Sequence, residues 1–243
     1  MKEKKYDDLF CGNLIVEIGC LFINKPYRAG TLDNTVKEKL IVNVSAFDCT
    51  TFVETTLALA RCVADGKISH NQFMKNLKLM RYRQGKINGY SSRLHYFADW
   101  LRDNEKKDFL KDISRDLDGK PKRKKINFMT THRELYSALR NKTQFAKMTS
   151  VENKLSRSIF YIIEKEKVTP QKTKILNGDI IAFVTNQEGL DVAHLGFALW
   201  QGRSLRLLHA SSKEGKVVIS KNTLTAYLRS NKKLTGIIIA RPL

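Results

Sequence analysis

The pattern of apolar and polar positions predicts helices in the first two thirds of the chain. Apolar side chains recur there at spacings of three and four residues, which places them on one face of a helix. Residues 105–126 are charged and poorly patterned, so this stretch is predicted as a surface excursion. The predicted helices cover 7–23, 48–65, 69–81, about 91–104 (capped by Ser91 or Ser92), about 130–140 and 151–163.

After Thr169-Pro170 the pattern changes to short β-rich runs separated by turns that contain glycine. Strands are predicted over 180–185, 193–200, 205–210, 216–219 and 235–240, with a helix at 222–229. Helices followed by a meandering sheet indicate an α+β protein, in which a helical N-terminal part packs on a C-terminal antiparallel sheet. The length of 243 residues suits one domain with insertions or two small ones.

The strong positive charge indicates an anionic partner. Lysine and arginine total 44 against 24 acidic residues, a net charge of +20. Nucleic acid, an acidic membrane surface and cell-wall polymers all fit such a charge. The densest basic run, residues 120–125, lacks interleaved aromatic residues that could stack on bases, so we interpret it as a solvated loop and expect no nucleic-acid binding.

Cysteine content and hydropathy exclude two other classes. Four cysteines without a CxxC motif form neither a disulfide scaffold nor a typical structural zinc site. No apolar run is long enough to cross a bilayer. The first eight residues mix basic and acidic side chains, a poor signal-peptide start, so the protein is either cytosolic or numbered after a removed signal.

The segment 47–54 carries the candidate nucleophile. Asp48 is a good helix N-cap, and the apolar positions after it predict a largely buried helix that ends at Asp65-Gly66. Cys49 then lies in the first turn, where free backbone N–H groups and the helix dipole favour a thiolate. A buried structural cysteine is the alternative interpretation.

Two histidines within the predicted strands could complete a catalytic site. His194 and His209 lie in consecutive β-rich runs, and adjacent antiparallel strands would bring their side chains together. Cys49 and His194 would then form a thiolate–imidazolium dyad, with His209 orienting the imidazole. Zinc coordination by Cys49, His194 and His209 is chemically possible as well, although a cysteine at a helix start suits a thiolate without a metal.

Several short motifs resemble those of a known enzyme superfamily. Papain-like cell-wall peptidases of the NlpC/p60 type show the same motifs in the same order: Pro26-Tyr27, Asp48-Cys49, Gly178-Asp179, His194-x-Gly196 and His209-Ala210-Ser211. A narrower resemblance, to the N-acetylmuramoyl-L-alanine amidase-like branch, is carried by 27–32, 47–54, 81–83, 92–96 and Arg241-Pro242. This similarity covers nearly the whole chain, and it implies a single papain-like domain over 1–243 with a helical insertion at about 66–165.

The resemblance also implies an activity. Cys49 would be the nucleophile, His194 the general base and His209 the third catalytic residue, with no cofactor. The substrate would be the amide between N-acetylmuramic acid and L-alanine in peptidoglycan fragments, including anhydro-muropeptides. The candidate substrate-binding residues are Tyr27 (also an oxyanion donor), Asp48, Arg83, Tyr90, Arg93, His95, Tyr96 and Ser211. We expect a monomer in the bacterial cell envelope, or in the cytoplasm.

Two other functions fit the same residues. A γ-D-glutamyl-diamino acid endopeptidase would use the same dyad one bond further along, with Asp48 available to hold a free L-alanine ammonium. A non-catalytic module that binds cell wall or nucleic acid would use the positive charge instead.

Overall fold

The computed structural model describes residues 8–33 and 37–243 and contains α-helices distributed along the chain. The predicted first helix begins at residue 7, which lies outside the described residues. The helices are α1 (Asp8–Cys20), α2 (Cys49–Ala64), α3 (His70–Arg81), α4 (Phe97–Glu105), α5 (Phe128–Thr131), α6 (Lys142–Ser156), α7 (Val168–Gln171) and α8 (Leu224–Ser230). None of these described helices combines the length and apolar character that spanning a membrane requires.

A single antiparallel sheet provides the framework of the fold. Its strands are β1 (Leu110–Asp112), β2 (Lys120–Lys122), β3 (Phe160–Glu164), β4 (Ile180–Thr185), β5 (Val192–Gln201), β6 (Ser204–Ser211), β7 (Lys216–Ile219) and β8 (Leu234–Pro242). The strand order is β2-β3-β8-β4-β5-β6-β7, and β1 pairs with β8 as well. The mixed helix and sheet composition and the antiparallel pairing confirm the α+β prediction.

The sheet separates two apolar cores. On β4 the side chains of Ile180 and Ala182 pack with α1 and α2, whereas Ile181 and Phe183 pack with α8 on the other face. This alternation follows from the two-residue period of a strand. Both faces of β4 are buried, which explains its continuous apolar sequence.

Helix α2 lies at the centre of the helical part and packs against α1, α3, β5 and β6. Because it is surrounded, it buries polar residues as well as apolar ones. The Glu54 carboxylate accepts a hydrogen bond from Arg81 Nε at 2.6 Å, and Arg81 Nη1 donates to the Ile41 carbonyl at 2.5 Å. Both side chains are almost completely buried, so the pair connects α2, α3 and the segment before α2.

The predicted helix at 91–104 starts later than its serines suggested. Ser91 accepts no helix-cap bond; its hydroxyl and its backbone N–H donate to Gln144 instead. The helix α4 begins at Phe97. The Ala98 N–H, which has no partner within the helix, donates to Asp191 Oδ2 at 2.8 Å. The cap therefore comes from a residue 93 positions away, which local sequence cannot reveal.

Three further predictions for the region 66–165 were wrong in part. The excursion 105–126 contains β1 and β2, and the segment predicted as helical over 151–163 ends its helix at Ser156 and continues as β3. Buried Phe160 and Ile162 make β3 part of the sheet core. The segment 130–140 forms short 3₁₀ turns after α5. The predicted helical insertion therefore also supplies three strands.

Loss of the buried Arg81 charge should destabilise the fold strongly. In Arg81→Met the Glu54 carboxylate stays buried without its partner, and we expect a loss of about 3–5 kcal/mol in the free energy of unfolding. Chemical denaturation measures this loss. Replacing both residues (Glu54→Leu, Arg81→Met) should cost less, and Lys78→Met, on the exposed side of α3, should cost almost nothing. Equal losses for the Arg81 and Lys78 variants would contradict the role of the pair.

Candidate active site

Helix α2 begins with a complete capping box. Asp48 Oδ1 accepts from the Thr51 N–H at 2.7 Å, and Thr51 Oγ1 accepts from the Asp48 N–H at 3.0 Å. These reciprocal bonds fix the first turn. Cys49 is therefore in the first turn of the helix, as predicted, directly after its N-cap.

The Cys49 sulfur lies against β5. The Leu195 backbone N–H and the Thr50 hydroxyl and backbone N–H lie near it and favour its charged form. Burial nevertheless raises the pKa of the Cys49 thiol to about 11, and the neighbouring Asp48 charge adds to the increase. The helix start alone therefore does not produce a resting thiolate.

His194 and His209 form a direct hydrogen bond between neighbouring strands. His194 Nε2 and His209 Nδ1 are 2.6 Å apart, and the rings meet edge to face. Gly196, between them on the sheet, makes this approach possible, because a Cβ there would lie 2.8 Å from His209 Cβ. If the shared hydrogen belongs to His194 Nε2, then His194 Nδ1 has a free lone pair.

The histidine pair is uncharged at neutral pH. Burial lowers the pKa of His194 to about 3, helped by the neighbouring His209, and burial lowers the pKa of His209 to about 4. The predicted thiolate–imidazolium dyad is thus corrected: the buried site favours a neutral thiol beside a neutral imidazole. The physical reason is that desolvation disfavours the charged form of both groups.

Tyr27 is held beside Cys49 by backbone bonds. The Arg28 N–H donates to the Phe47 carbonyl at 2.9 Å, and the Tyr27 N–H donates to the Gly215 carbonyl at 2.8 Å. Burial raises the pKa of Tyr27, and the neighbouring Cys49 and Asp48 raise it further. The phenol therefore stays protonated and can act as a hydrogen-bond donor.

A cavity of about 230 Å³ contains Cys49 and His194 in its wall. Tyr90, His95 and Tyr96, three of the predicted substrate-binding residues, also line it. Their rings make much of the wall aromatic. Of the other predicted residues, Tyr27 and Asp48 lie beside Cys49 and are not among the residues that line the cavity.

The hydrogen bonds of the cavity wall limit what each side chain can offer a ligand. His95 Nε2 donates to the Tyr90 carbonyl at 2.9 Å, and burial keeps the pKa of His95 well below its ordinary value, so Nδ1 is an acceptor. The Tyr96 hydroxyl donates to Glu152 at 2.7 Å and accepts from the Met129 N–H. Tyr96 therefore contributes its ring to the wall while its hydroxyl has a structural role.

Both predicted arginines are engaged in ion pairs, and Ser211 in a turn. Arg83 forms a two-bond pair with Asp99, at 2.8 and 2.7 Å, and does not line the cavity. Arg93 is buried, pairs with Asp33 and stacks on the Tyr90 ring. Ser211 accepts from the Glu214 N–H between β6 and β7. The structure therefore places Arg93 behind the wall and the other two outside the cavity.

Sequence reasoning missed four residues around this site. Asp33, Tyr136 and Asp191 line the cavity, and Tyr227 packs on both histidines. They come from distant parts of the chain, and no motif surrounds them. Among residues 8–33 and 37–243, no group of three histidine, cysteine, aspartate or glutamate side chains is arranged to hold a metal.

The buried neutral histidines should make the protein sensitive to acid. The unfolded chain binds protons below about pH 6.5 whereas folded His194 and His209 do not, so stability falls as the pH drops from about 6.5 towards 4. Each histidine contributes up to about 3 kcal/mol over this range, and His194 less because it is partly exposed. Denaturant unfolding of His209→Asn should show a shallower decline. His70→Asn, at an exposed position, should keep the wild-type slope, and an equal slope in all three proteins would contradict this assignment.

Comparison with known proteins identifies the family. The family model described as N-acetylmuramoyl-L-alanine amidase-like matches residues 17–237. An N-acetylmuramoyl-L-alanine amidase from Bacteroides uniformis ATCC 8492 is 39% identical, with a TM-score of 0.91 over 96% of this chain and 99% of that one. A putative xylanase from Bacteroides fragilis is 42% identical, with a TM-score of 0.87 over 93% and 99%.

A more distant structure, from Legionella pneumophila str. Philadelphia 1, is 27% identical, with a TM-score of 0.73 over 96% of this chain and 89% of that one. No curated protein matches the chain. The family model covers most of the sequence, including Cys49, His194 and His209. The chain therefore belongs to the N-acetylmuramoyl-L-alanine amidase-like family.

Proposed function

We propose that this protein is a cysteine amidase that hydrolyses the amide between N-acetylmuramic acid and L-alanine in peptidoglycan fragments. The observation that carries the proposal is that the structure brings together the Cys49 thiol and the imidazoles of His194 and His209 in a member of this amidase-like family. Cys49, at the start of a capped helix, and His194 line the same cavity, and His194 hydrogen-bonds to His209. A nucleophile, a base and an orienting group are what acyl transfer requires.

The reaction begins from the neutral pair. The Cys49 sulfur attacks the carbonyl carbon while its proton passes to His194 Nδ1, so that charge develops only in the transition state. His209 holds the imidazolium through Nε2 of His194. The free Cys49 N–H at the start of α2 and the Tyr27 hydroxyl donate to the oxyanion.

The second half of the reaction regenerates the thiol. Collapse of the tetrahedral intermediate breaks the C–N bond, and His194 gives its proton to the departing L-alanine amine. This leaves a thioester on Cys49. His194 then takes a proton from water, whose oxygen attacks the thioester. The products are a carboxylic acid on the sugar and a free thiol, and every proton is accounted for.

The cavity suits a sugar on the acyl side of the bond. Tyr90, Tyr96 and Tyr136 supply flat apolar faces, and His95 supplies an acceptor for a hydroxyl or an N–H. We propose muropeptides, including anhydro forms, as substrates and the bacterial cell envelope as the site of action. Their carboxylates are attracted by a protein of net charge +20.

The endopeptidase alternative needs a carboxylate that can bind an ammonium group. Asp48 is committed to the helix cap. Asp33 lines the cavity and is partly exposed, but Arg93 already pairs with it. A neutralised carboxylate attracts an ammonium weakly. The ion pair of Asp33 and the helix cap made by Asp48 therefore favour the amidase.

A glycosidase, such as the xylanase that the Bacteroides fragilis relative is named for, would need two carboxyl groups flanking the scissile bond. Asp33 and Asp191 are the carboxylates that line the described cavity. Asp191 accepts the N–H groups of Ala98 and Val192 at 2.8 Å each, and Asp33 pairs with Arg93. Both have structural partners, whereas the histidine pair has no role in a glycosidase.

Replacement of the nucleophile tests the cysteine mechanism. Cys49→Ala should lower kcat for muropeptide hydrolysis by at least about 10³-fold without changing the melting temperature, because it removes the attacking atom. Cys62→Ala should keep nearly full activity, since Cys62 is buried between α2 and α3 away from the cavity. Alkylation should inactivate the wild type and a chelator should not. Inactivation by the chelator alone would favour zinc catalysis and contradict the proposal.

The products of a disaccharide–tetrapeptide digest identify the bond. The amidase should release an intact tetrapeptide with a free L-alanine amine, together with the sugar acid, and mass spectrometry distinguishes these masses. An endopeptidase would leave L-alanyl-D-glutamate on the sugar. A sugar-free tripeptide that begins with L-alanine serves as the control, because the proposed enzyme should not cleave it.

A further inference from the structure

The ring of Tyr227 lies against both histidines of the candidate site. Its centroid is 5.6 Å from that of His209, in an edge-to-face arrangement, and 6.4 Å from that of His194, nearly parallel. Phe183 on β4 completes the cluster, 5.1 Å from Tyr227 and 6.0 Å from His194. Two aromatic rings therefore cover the hydrogen-bonded pair.

Tyr227 does not have the position of an ordinary core residue. Leu224 and Leu228 are fully buried and hold α8 on the sheet, whereas Tyr227, on the same short helix, is only half-buried. Phe183 is completely buried beneath the pair. Tyr227 is therefore the part of the cover that lies between the histidines and solvent.

We infer that Tyr227 is a positioning residue for the reaction: its ring holds the His194–His209 pair in its hydrogen-bonded orientation and excludes water from that side. The catalytic consequence rests on the proposed cysteine mechanism. The structural consequence does not, because the ring covers the pair whatever substrate the cavity takes. Nothing in the motifs of the sequence marks this residue.

The physical argument concerns hydration and ring orientation. A 2.6 Å bond between two neutral imidazoles needs both rings held in place, and aromatic pairs at these distances stabilise such an arrangement. Without the Tyr227 ring, water would reach the pair and stabilise its protonated form. His194 would also be free to turn its Nδ1 away from the thiol.

Apart from burial, few nearby titratable groups could account for the uncharged state of the His194–His209 pair. Tyr227 from α8 packs on both rings. Cys49, Asp33, His95 and Asp191 share the cavity wall with His194, and Tyr27 and Asp48 lie beside Cys49. Phe183 from β4 is apolar. Neither histidine has a lysine or arginine as a cause of its lowered pKa. Burial is the main cause, and Tyr227 supplies part of that burial.

NMR titration of isotope-labelled histidine tests the inference without any substrate. The signals are assigned by their absence in His194→Gln and His209→Asn. In Tyr227→Ala we expect at least one of the two pKa values to rise by about one unit or more, because the covering ring is gone. Tyr227→Phe keeps the ring and should titrate like the wild type. Tyr161→Ala, at a half-buried position on β3, controls for the general loss of a tyrosine.

Activity measurements give the catalytic part of the test. Tyr227→Ala should lower kcat about 10-fold or more with little change in KM, and Tyr227→Phe should restore it. Unchanged histidine pKa values and unchanged kcat in Tyr227→Ala would overturn the inference. An inactive wild type with shifted histidine pKa values in Tyr227→Ala would reject the amidase proposal and retain the positioning role. Loss of activity in Tyr227→Phe as well would assign the function to the hydroxyl and refute the ring's role.

Discussion

The capping box at the start of α2 is the constraint on which the candidate site depends. Asp48 and Thr51 fix the first turn, and the burial of α2 between α1, α3 and the sheet fixes the helix as a whole. Because Cys49 is the first residue of that turn, its side chain lies in the cavity wall beside Leu195 and His194 of β5. Helix, strand and candidate nucleophile are thus positioned by a single packing arrangement.

Burial then determines the chemistry of this arrangement. The same desolvation that raises the pKa of Cys49 lowers those of His194 and His209, so the three groups rest in their neutral forms. A neutral resting site avoids the cost of a buried ion pair and the reactivity of a permanent thiolate. In the proposed mechanism, proton transfer is then coupled to attack on the substrate. The helix dipole assists the developing charge without creating it in advance.

The sequence predicts the parts of the site that depend on local patterns. An N-cap before an apolar helix locates Cys49, and alternating apolar runs locate β5 and β6 with their histidines. The rest depends on contacts between distant segments. Asp191 caps α4 across the fold, Tyr227 reaches the histidines from α8, and β3 is recognisable only once β8 is beside it. Such residues carry no local signal, since their neighbours in sequence are not their neighbours in space.

The two arginines predicted to bind substrate show why charge in a sequence is an ambiguous guide to binding. Arg83 and Arg93 offer the planar donors that a carboxylate ligand would need, yet each already binds a carboxylate of the protein itself. Arg93 still affects the cavity indirectly, because it neutralises Asp33 and lies on the Tyr90 ring. Asp33 is paired with Arg93, and Asp191 accepts two backbone N–H groups. Neither carboxylate of the described cavity is therefore available to attract an ammonium group. Under the proposed function, Arg93 would therefore favour a sugar over a free amine without contacting either of them.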